Sequence, residues 1–507
     1  MKKSPLFLLS LLICFAIAFS AFGCSHKTAQ TCAQHTDADS SGFCDICEVS
    51  VTVTVDFYAV NDLHGKLCDT HIQPGTDELT AYLKTVRSAD DHSVLLSSGD
   101  MWQGSSESNL TRGAIVTDWM NTLGFASMTL GNHEFDWGEE YIEQNHELAK
   151  FPYLAINVYE RSTDTPVDYC APSTTVTCGE ATVGIIGAVG DCYSSISPEK
   201  VEDVYFKTGS ELTALIKNEA KRLRSEGADF IVLSIHDGYA GDATGSPMAT
   251  DSMLSDYYDV TLSDGYVDLV FEAHTHYYYV KQDKHGVYHL QGGGENEGIT
   301  HVEVDVNFAG GDSTVSKAEY VGAGTYKTFP SDSLVNDLMQ KYESQVSAGT
   351  KVLGNNSVWR SSQEIRSIIA KLYYEKGVEV WGKDYDVVLG GGFLYIRSPY
   401  NLNSGEIRYA ELQSLIPFDN RIQLCSIKGS DLKSKFFEAT NSNYFVHCGE
   451  YGESVRRNLD PSATYYVIVD SYTATYAPNR LTVVATLDDS TFARDLLAEY
   501  IENGGLE

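Results

Sequence analysis

Five short polar segments, each placed directly after a strand-like apolar run, constrain this 507-residue chain more than any other feature. The segments are Asn61-Asp62-Leu63-His64-Gly65, Ser98-Gly99-Asp100, Gly131-Asn132-His133-Glu134-Phe135-Asp136, His236-Asp237-Gly238 and Ala273-His274-Thr275-His276. Loops at the carboxyl ends of strands are where α/β proteins assemble their sites. The five segments therefore predict an α/β domain in which several loops share one site.

Strand-like and helix-like stretches alternate along the same part of the chain. Short apolar runs typical of buried strands cover residues 93–97, 126–130, 183–188, 230–235 and 267–272. Between two of them, Leu212, Ile216 and Leu223 recur at helical spacing within 209–226. This alternation predicts an α/β domain over 51–330.

A second folded unit follows a connecting segment. Apolar side chains four residues apart predict a helix over 331–347, within a linker at 331–350. Helical patterns at 363–376 and 492–501 begin and end a smaller α/β domain, predicted over 351–507.

The chain begins with the features of an export signal. Lys2 and Lys3 precede an apolar run over 6–22, and a small residue, Gly23, stands just before Cys24. We expect a signal peptide over 1–23 and a lipid on Cys24, as in bacterial lipoproteins. The alternatives are ordinary cleavage before Cys24 and a short membrane anchor. The expected location is the cell surface or the periplasm, with membrane contact only through the signal or the lipid anchor.

The side chains of the five segments suit metal-dependent phosphoryl transfer. Carboxylate, imidazole and carboxamide ligands favour Mn, Zn, Fe or Ni over the soft Cu(I) ion. Asp62 and His64, like His274 and His276, point to one side of an extended strand end because side chains alternate with a period of two. Two ions about 3.5–4 Å apart can hold both the attacking and the leaving oxygen of a phosphoryl group.

In these motifs the chain resembles the calcineurin-like metallophosphoesterases, specifically the 5'-nucleotidase/UDP-sugar hydrolase family, over roughly residues 53–490. The resemblance implies a four-layer αββα metallophosphoesterase domain followed by a smaller α/β substrate-binding domain. It also implies two divalent metal ions (Zn, Mn or similar), with Asp100 as the bridging ligand. The implied ligands are Asp62, His64, Asp100 and His276 for one ion, and Asp100, Asn132, His236 and His274 for the other.

The same resemblance assigns a catalytic dyad and part of a substrate pocket. His133 would face the leaving group and Asp136 would orient the His133 ring. Arg397 would contact phosphate, and Phe418 and Tyr472 would stack on a nucleobase. The C-terminal half departs from the family at Leu389, in the insertion 393–395, around 363–367 and at 476–479, where the family's ribose-binding motif is missing.

The expected function is 5'-nucleotidase-like hydrolysis of a nucleotide or a related phosphoester. Cyclic-nucleotide phosphodiesterase and UDP-sugar pyrophosphatase activities are alternatives on the same centre, and a catalytically inactive surface protein that binds nucleosides is an alternative of another class. The formal net charge of −34 argues against a nucleic-acid polymer as partner, because such a surface repels phosphate backbones. The sequence carries no signal for the oligomeric state.

Residues 24–50 are rich in cysteine and aspartate and leave three alternatives open. Cys32-x2-His35 and Cys44-x2-Cys47 have the spacing of a structural zinc site with three cysteines and one histidine. Residues 37–48 also fit a twelve-residue calcium loop with Gly42 at its sixth position. Export would alternatively allow the cysteines to form disulfides.

Overall fold

The structure is a computed structural model, and it describes most of the chain. The described residues are 32, 34–68, 75–90, 92–239, 266–283, 285–397, 400–438, 444–449, 457–475, 481–488 and 491–507. The predicted signal peptide, Cys24 and the 476–479 departure lie outside them. Among the described residues, no helix has both the length and the apolar character needed to cross a membrane.

Two six-stranded sheets form the N-terminal half. The first contains β1 (Thr52–Val60), β2 (Ser93–Ser97), β3 (Ser127–Thr129), β4 (Tyr153–Leu154), β13 (Gly298–Asn307) and β14 (Thr314–Gly322). The second contains β6 (Ser173–Cys178), β7 (Ala181–Val189), β9 (Phe230–His236), β10 (Leu269–Phe271), β11 (Tyr278–Gln282) and β12 (Tyr288–Gly292). Their strand orders are β14-β13-β1-β2-β3-β4 and β11-β12-β10-β9-β7-β6. A separate pair joins β5 (Val158–Glu160) to β8 (Val204–Phe206).

The sheets pack face to face because the central strands are apolar on both faces. In β1, Val55 and Phe57 enter the core between the sheets, whereas Tyr58 and Val60 face the helices outside the first sheet. That outer face is covered by the helices Asp77–Ser88, Ala114–Leu123 and Glu139–Leu148. The helix Gly209–Ser225 covers the second sheet. The result is the predicted four-layer αββα arrangement.

The direction of the strands brings the polar segments to one edge. Strands β1 to β4 run parallel to one another, and so do β7, β9, β10 and β12. Parallel neighbours place their carboxyl ends at the same edge of a sheet. The loops that follow β1, β2, β3, β9 and β10 therefore meet at one place.

The C-terminal half contains a five-stranded sheet in the order β21-β17-β22-β20-β23. Its strands are β17 (Val387–Phe393), β20 (Ile422–Lys428), β21 (Tyr444–His447), β22 (Thr464–Asp470) and β23 (Thr482–Thr486). Two small pairs join β15 (Val352–Asn356) to β19 (Gly405–Arg408), and β16 (Arg360–Ser361) to β18 (Asn401–Leu402). Among the described residues of this half, the α-helices are Ser362–Trp381, Tyr409–Leu415, Gly429–Leu432, Ser471–Thr475 and Ala493–Glu502, and a π-helical turn at Lys433–Phe437 follows the third of them.

The helix Ser362–Trp381 begins where its sequence dictates. Ser361 accepts a hydrogen bond from the Glu364 backbone N–H, and the Glu364 carboxylate accepts one from the Ser361 backbone N–H. This reciprocal capping box satisfies two amide groups that the first helical turn leaves without partners. The helix packs through Ile365 and Ile369 on the sheet of the C-terminal half. The predicted α/β class of both halves is confirmed.

The linker differs from the single helix predicted over 331–347. It forms two helices, Leu334–Lys341 and Glu343–Val346, which follow a short helix at Ala323–Tyr326. Between the two linker helices, Tyr342 leaves the helical conformation with φ −99° and ψ 15°. Its hydroxyl donates to Asp118 Oδ2 at 2.7 Å, so a contact with the N-terminal half accompanies the break.

Candidate metal centre and substrate cavity

The first group of predicted ligands comes together at the carboxyl edge of the first sheet. One ligand atom from each of Asp62, His64 and His276 lies within 4.8 Å of the others. Nε2 of His64 lies 3.0 Å from Nε2 of His276, which in turn lies 3.5 Å from Asp62 Oδ1. The fourth predicted ligand, Asp100, has Oδ2 3.9 Å from His64 Nε2.

The second group shares Asp100 with the first. Nε2 of His236 lies 3.1 Å from Asp100 Oδ2 and 4.0 Å from Asp62 Oδ1. The ring of His274 lies 5.5 Å from that of His236, centroid to centroid. Asn132 is buried in the loop after β3. The structure therefore gathers all seven predicted ligands, with Asp100 between the two groups.

The donor atoms fit divalent cations. Oδ1 of Asn132 and Nε2 of His236 are buried and make no hydrogen bond within the described part of the chain. Nδ1 of His64 lies 2.8 Å from the Gln103 carbonyl, and Nδ1 of His236 lies 2.7 Å from the Ser98 carbonyl. Because a carbonyl only accepts, each Nδ1 carries a proton, which leaves Nε2 as the nitrogen that can bind a metal once it is deprotonated. Buried lone pairs facing carboxylates are a suitable environment for a metal ion.

The backbone is strained at five of these ligands. Positive φ angles, between 50° and 71°, occur at Asp62, His64, Asp100, His274 and His276. Non-glycine residues rarely adopt this left-handed region, and such strain persists only where the surrounding structure enforces it. The strands thus end in conformations that turn the ligand side chains towards one another.

Two glycines allow the loops to approach closely. Gly99 has φ +97°, and a Cβ there would lie 2.7 Å from His236 Nδ1. A Cβ on Gly131 would lie 2.3 Å from Asp100 Oδ1. The loop after β2 can therefore touch the loop after β3 and the end of β9 only because both positions lack a side chain.

Glu134 was given no role in the sequence analysis, although it lies within one of the five segments. Its buried carboxylate accepts hydrogen bonds from the backbone N–H groups of Asp100 at 2.9 Å, Met101 at 2.8 Å and Gly131 at 2.7 Å. Burial, together with the nearby Asp100 charge, raises the pKa of Glu134 to about 7. Glu134 ties the Asp100 loop to the Asn132 loop, an arrangement that only tertiary structure reveals.

The buried charges also set the protonation of the imidazoles. Burial opposes the charged form of His236, but the neighbouring Asp100 carboxylate outweighs it and raises the pKa of His236 to about 10. Burial, with the His236 charge, lowers the pKa of His274 to about 3, and burial holds the pKa of His64 well below its usual range. A metal ligand must be neutral at its coordinating nitrogen, so metal binding would release the His236 proton.

Cys192 is a second residue that the sequence analysis did not connect with the site. Its Sγ lies within 4.8 Å of ligand atoms of His236 and His274. The thiol donates to the His236 carbonyl at 2.9 Å, and burial raises the pKa of Cys192 well above its usual range. Cys192 thus supports the backbone of a predicted ligand as a neutral thiol.

The predicted dyad stands beside the ligands. Nδ1 of His133 lies 2.7 Å from Asp136 Oδ2, and the His133 backbone N–H donates to Asp100 Oδ1 at 2.8 Å. Nη2 of Arg397, from the C-terminal half, donates to His133 Nε2. The insertion at 393–395 therefore does not remove Arg397 from the centre.

A cavity of about 410 Å³ lies between the two halves of the chain. Its N-terminal wall includes His133, Asp136 and His276, and Arg397 lines the opposite wall. The aromatic side chains on that wall are Tyr373, Phe393, Tyr395, Phe418 and Tyr472.

Both predicted stacking residues line this cavity, and each meets a ring of the segment 393–395. The ring of Phe418 lies 5.9 Å from that of Tyr395, and the ring of Tyr472 lies 5.9 Å from that of Phe393. Phe393 and Tyr395 belong to the 393–395 insertion, to which the family motifs assign no role.

The N-terminal half matches a known family over most of its length. Residues 55–278 match the sequence model of the calcineurin-like phosphoesterases. The N-terminal half therefore carries a calcineurin-like phosphoesterase domain, a family whose use of divalent metals agrees with the clustered ligands.

More specifically, the chain is related to 5'-nucleotidases and UshA proteins. It is 24% identical to protein UshA of Yersinia enterocolitica over 472 residues, which cover 84% of this chain and 83% of that protein. It is 25% identical to human 5'-nucleotidase over 444 residues, which cover 77% of this chain and 72% of that protein. The crystal structure of a 5'-nucleotidase precursor from Thermus thermophilus shares the fold, with a TM-score of 0.66, 19% identity, and coverage of 89% of this chain and 96% of that chain.

Proposed function

We propose that this chain hydrolyses nucleotides as a two-metal phosphomonoesterase outside the cytoplasm. The observation that carries the proposal is the contact of Arg397 with His133 beside the clustered ligands. It puts a guanidinium, a histidine dyad and a wall of aromatic rings around one cavity. The relatedness to 5'-nucleotidases supports the nucleotide as the substrate class.

The ligand groups suggest how two ions would be held. Asp62, His64, Asp100 and His276 would bind one ion, and Asp100, Asn132, His236 and His274 would bind the other. When bound, such ions would supply positive charge that stabilises the phosphoryl transition state and makes water a better nucleophile.

The dyad would supply a proton to the leaving group. Asp136 fixes His133 so that Nδ1 is engaged and Nε2 faces the cavity. In the structure, Nε2 accepts from Arg397. A substrate phosphate would replace His133 Nε2 as the acceptor of the Arg397 guanidinium, because planar N–H donors bind phosphate oxygens well. Freed from Arg397, His133 Nε2 would take up a proton from solvent, Asp136 would stabilise the imidazolium, and His133 would pass that proton to the leaving ribose oxygen.

The aromatic wall would bind the base. Stacking of one base on an aromatic side chain contributes on the order of 1–3 kcal/mol and tolerates any base. Phe418 and Tyr395 meet at an interplanar angle of 66°, so a base stacked on the face of one ring would meet the edge of the other.

A substrate panel tests the reaction. Purified protein with Mn or Zn is given AMP, UMP, 2',3'-cyclic AMP, UDP-glucose and p-nitrophenyl phosphate, and phosphate release is measured with EDTA as control. We expect metal-dependent release from AMP and UMP above the other substrates. Faster cleavage of the cyclic nucleotide or of UDP-glucose would replace the proposal with a diesterase or a pyrophosphatase. Binding of nucleosides without turnover would indicate the inactive binder.

Two variants separate the roles within the centre. Asp100→Asn should lose both metal and turnover, because the shared ligand is weakened. Asp136→Asn should keep the metal content but lower kcat about 10²-fold or more, as expected when general acid catalysis is lost. Loss of metal in Asp136→Asn would contradict the separation of the dyad from the ligand set.

Export and lipidation at Cys24 are proposed from the first 24 residues alone. Detergent-phase partitioning of the protein from whole cells tests the lipid. Wild-type protein should enter the detergent phase and Cys24→Ser protein should not. Equal partitioning of both would exclude the lipid anchor.

A further inference from the structure

A second cluster of ligand atoms lies in the segment 32–50, which the proposed catalytic function does not use. One ligand atom from each of Cys32, His35, Cys44 and Cys47 lies within 4.8 Å of the others. The sulfurs of Cys32 and Cys44 are 3.9 Å apart, and Cys47 Sγ lies 3.5 Å from His35 Nδ1. We propose that these four residues bind a structural zinc ion.

The spacing of the atoms agrees with tetrahedral coordination. Zinc lies about 2.3 Å from sulfur and about 2.0–2.1 Å from nitrogen, which puts two coordinating sulfurs about 3.8 Å apart and a sulfur and a nitrogen about 3.6 Å apart. The two observed distances fall within a few tenths of an ångström of these values. Four protein ligands leave no open position, which is the arrangement of structural rather than catalytic zinc.

The geometry does not fit disulfides. The sulfur–sulfur distance of 3.9 Å between Cys32 and Cys44 is far beyond the bond length of about 2.05 Å.

One carboxylate oxygen from each of Asp37, Asp39 and Asp45 also lies within 4.8 Å of the others, but all three side chains already accept hydrogen bonds from the backbone. The Asp37 carboxylate accepts hydrogen bonds from the backbone N–H groups of Ser41 at 2.9 Å and Gly42 at 2.8 Å. Asp39 Oδ1 accepts from Ser41 at 3.1 Å, and Asp45 Oδ2 accepts from Ala38 at 2.9 Å. Calcium requires six to eight oxygen ligands. Here the carboxylates instead stabilise the turn that carries the zinc ligands.

The segment lacks an apolar core, which explains why it would need an ion. Its larger apolar side chains Phe43, Ile46 and Val49 are 55%, 52% and 51% exposed. Small units without a sufficient core are commonly stabilised by a metal. Cys44, in contrast, is buried at 1% exposure, at the centre of the cluster.

The ion would fasten the segment to the catalytic domain. Asp37 accepts a hydrogen bond from Asn307 Nδ2 at 2.6 Å and donates its backbone N–H to Ala309 at 3.2 Å. The His35 ring meets Phe308 edge-on, with centroids 6.5 Å apart. These contacts are at the β13–β14 turn, beside the start of β1. The catalytic ligands follow the other end of β1, about 30 Å away at ~3.3 Å per residue, so the zinc would not take part in catalysis.

Metal content and cobalt substitution of the purified protein test the site. Wild-type protein should contain one more zinc ion per chain than Cys47→Ser. Cobalt-substituted wild-type protein should show thiolate-to-cobalt charge-transfer absorption that Cys47→Ser loses. Cys170→Ser, a cysteine outside the cluster, and Asp39→Asn, a candidate calcium ligand, should both match wild type in zinc count and absorption.

A mass measurement on the unaltered protein makes the test independent of how the variants fold. Under non-reducing conditions, Cys32, Cys44 and Cys47 should all react with an alkylating agent once the metal is chelated and the chain is denatured. A disulfide joining any two of them, or equal zinc content in wild type and Cys47→Ser, would overturn the proposal. None of these measurements uses the phosphate-release assay, so they test the zinc site independently of the proposed catalytic function.

Discussion

Arg397 Nη2 donates a hydrogen bond to His133 Nε2, so a guanidinium from the C-terminal half reaches the proposed catalytic dyad of the N-terminal half. Arg397 is only 6% exposed, and its guanidinium carbon lies 6.0 Å from the centre of the Phe418 ring. One side chain therefore connects the candidate phosphate position with the candidate base position. Both halves of the chain are needed to line the candidate substrate cavity.

Replacing Arg397 should impair turnover more than it impairs the metal centre. Arg397→Met should lower kcat/KM for AMP about 10- to 100-fold, because a hydrogen bond to a charged group contributes about 1.5–3 kcal/mol. Metal content should stay unchanged, since Arg397 is not a ligand. Steady-state kinetics and metal analysis check the prediction, with the exposed Arg408→Met as the matched control. Unchanged kcat/KM in Arg397→Met would exclude it from phosphate binding.

Removing a ring from the aromatic wall should raise KM only for substrates that carry a base. Phe418→Ala and Tyr395→Ala should each raise KM for AMP about 5- to 100-fold, which corresponds to the loss of about 1–3 kcal/mol of stacking. KM for ribose 5-phosphate, which lacks a base, should change little in both variants. An equal effect on the two substrates would show that the rings only shape the cavity. The exposed Trp359→Ala controls for general effects of aromatic truncation.

Glu134 should be required for the stability of the metal centre. Glutamine has a single acceptor oxygen, so Glu134→Gln would leave backbone N–H groups of Asp100, Met101 or Gly131 unsatisfied. Each unsatisfied buried donor costs about 1–3 kcal/mol. We expect a lower Tm and weaker metal affinity, measured by thermal unfolding and chelator competition. Glu140→Gln, on the exposed face of the next helix, should behave like wild type, and a Glu134→Gln protein that also does so would contradict this role.

The sequence predicted the fold and the location of the centre because both depend on local patterns. Strand β2 has the predicted bounds, and the helix predicted over 209–226 is observed at Gly209–Ser225. The ligands follow strands, and the parallel arrangement of those strands is sufficient to bring them together. Strand β10 is shorter than predicted, at Leu269–Phe271.

The features that sequence reasoning missed depend on distant contacts. The role of Glu134 is evident only from the three backbone amide groups that donate to it. The role of Cys192 is evident only from its position beside His236. Tyr395 lies in an insertion relative to the family, so no motif could assign it to the wall. The break at Tyr342 accompanies a hydrogen bond to Asp118, more than two hundred positions away in sequence.

Asp470, at the end of β22 on the cavity wall, should make stability depend on pH. Burial raises the pKa of Asp470 to about 6, against a usual value of 3.8 that the unfolded chain retains. The folded state therefore favours the protonated carboxyl, so stability should decrease as the pH rises from about 3.8 through about 6. The difference of about two between the folded and unfolded pKa of Asp470 corresponds to a loss of at most ~3 kcal/mol in the free energy of unfolding.

An asparagine side chain cannot ionise, so the Asp470→Asn substitution should remove this loss while keeping the oxygen that accepts from the Thr473 backbone N–H at 2.7 Å. We expect the Tm of Asp470→Asn to exceed that of wild type at pH 7.5, and the difference to shrink towards zero at pH 4. Thermal unfolding at a series of pH values checks the trend, with the exposed Asp384→Asn as control. A Tm difference that stays constant across the pH series would show that Asp470 does not change its ionisation on folding. A lower Tm for Asp470→Asn than for wild type at pH 7.5 would show that a group in the cavity compensates the Asp470 charge.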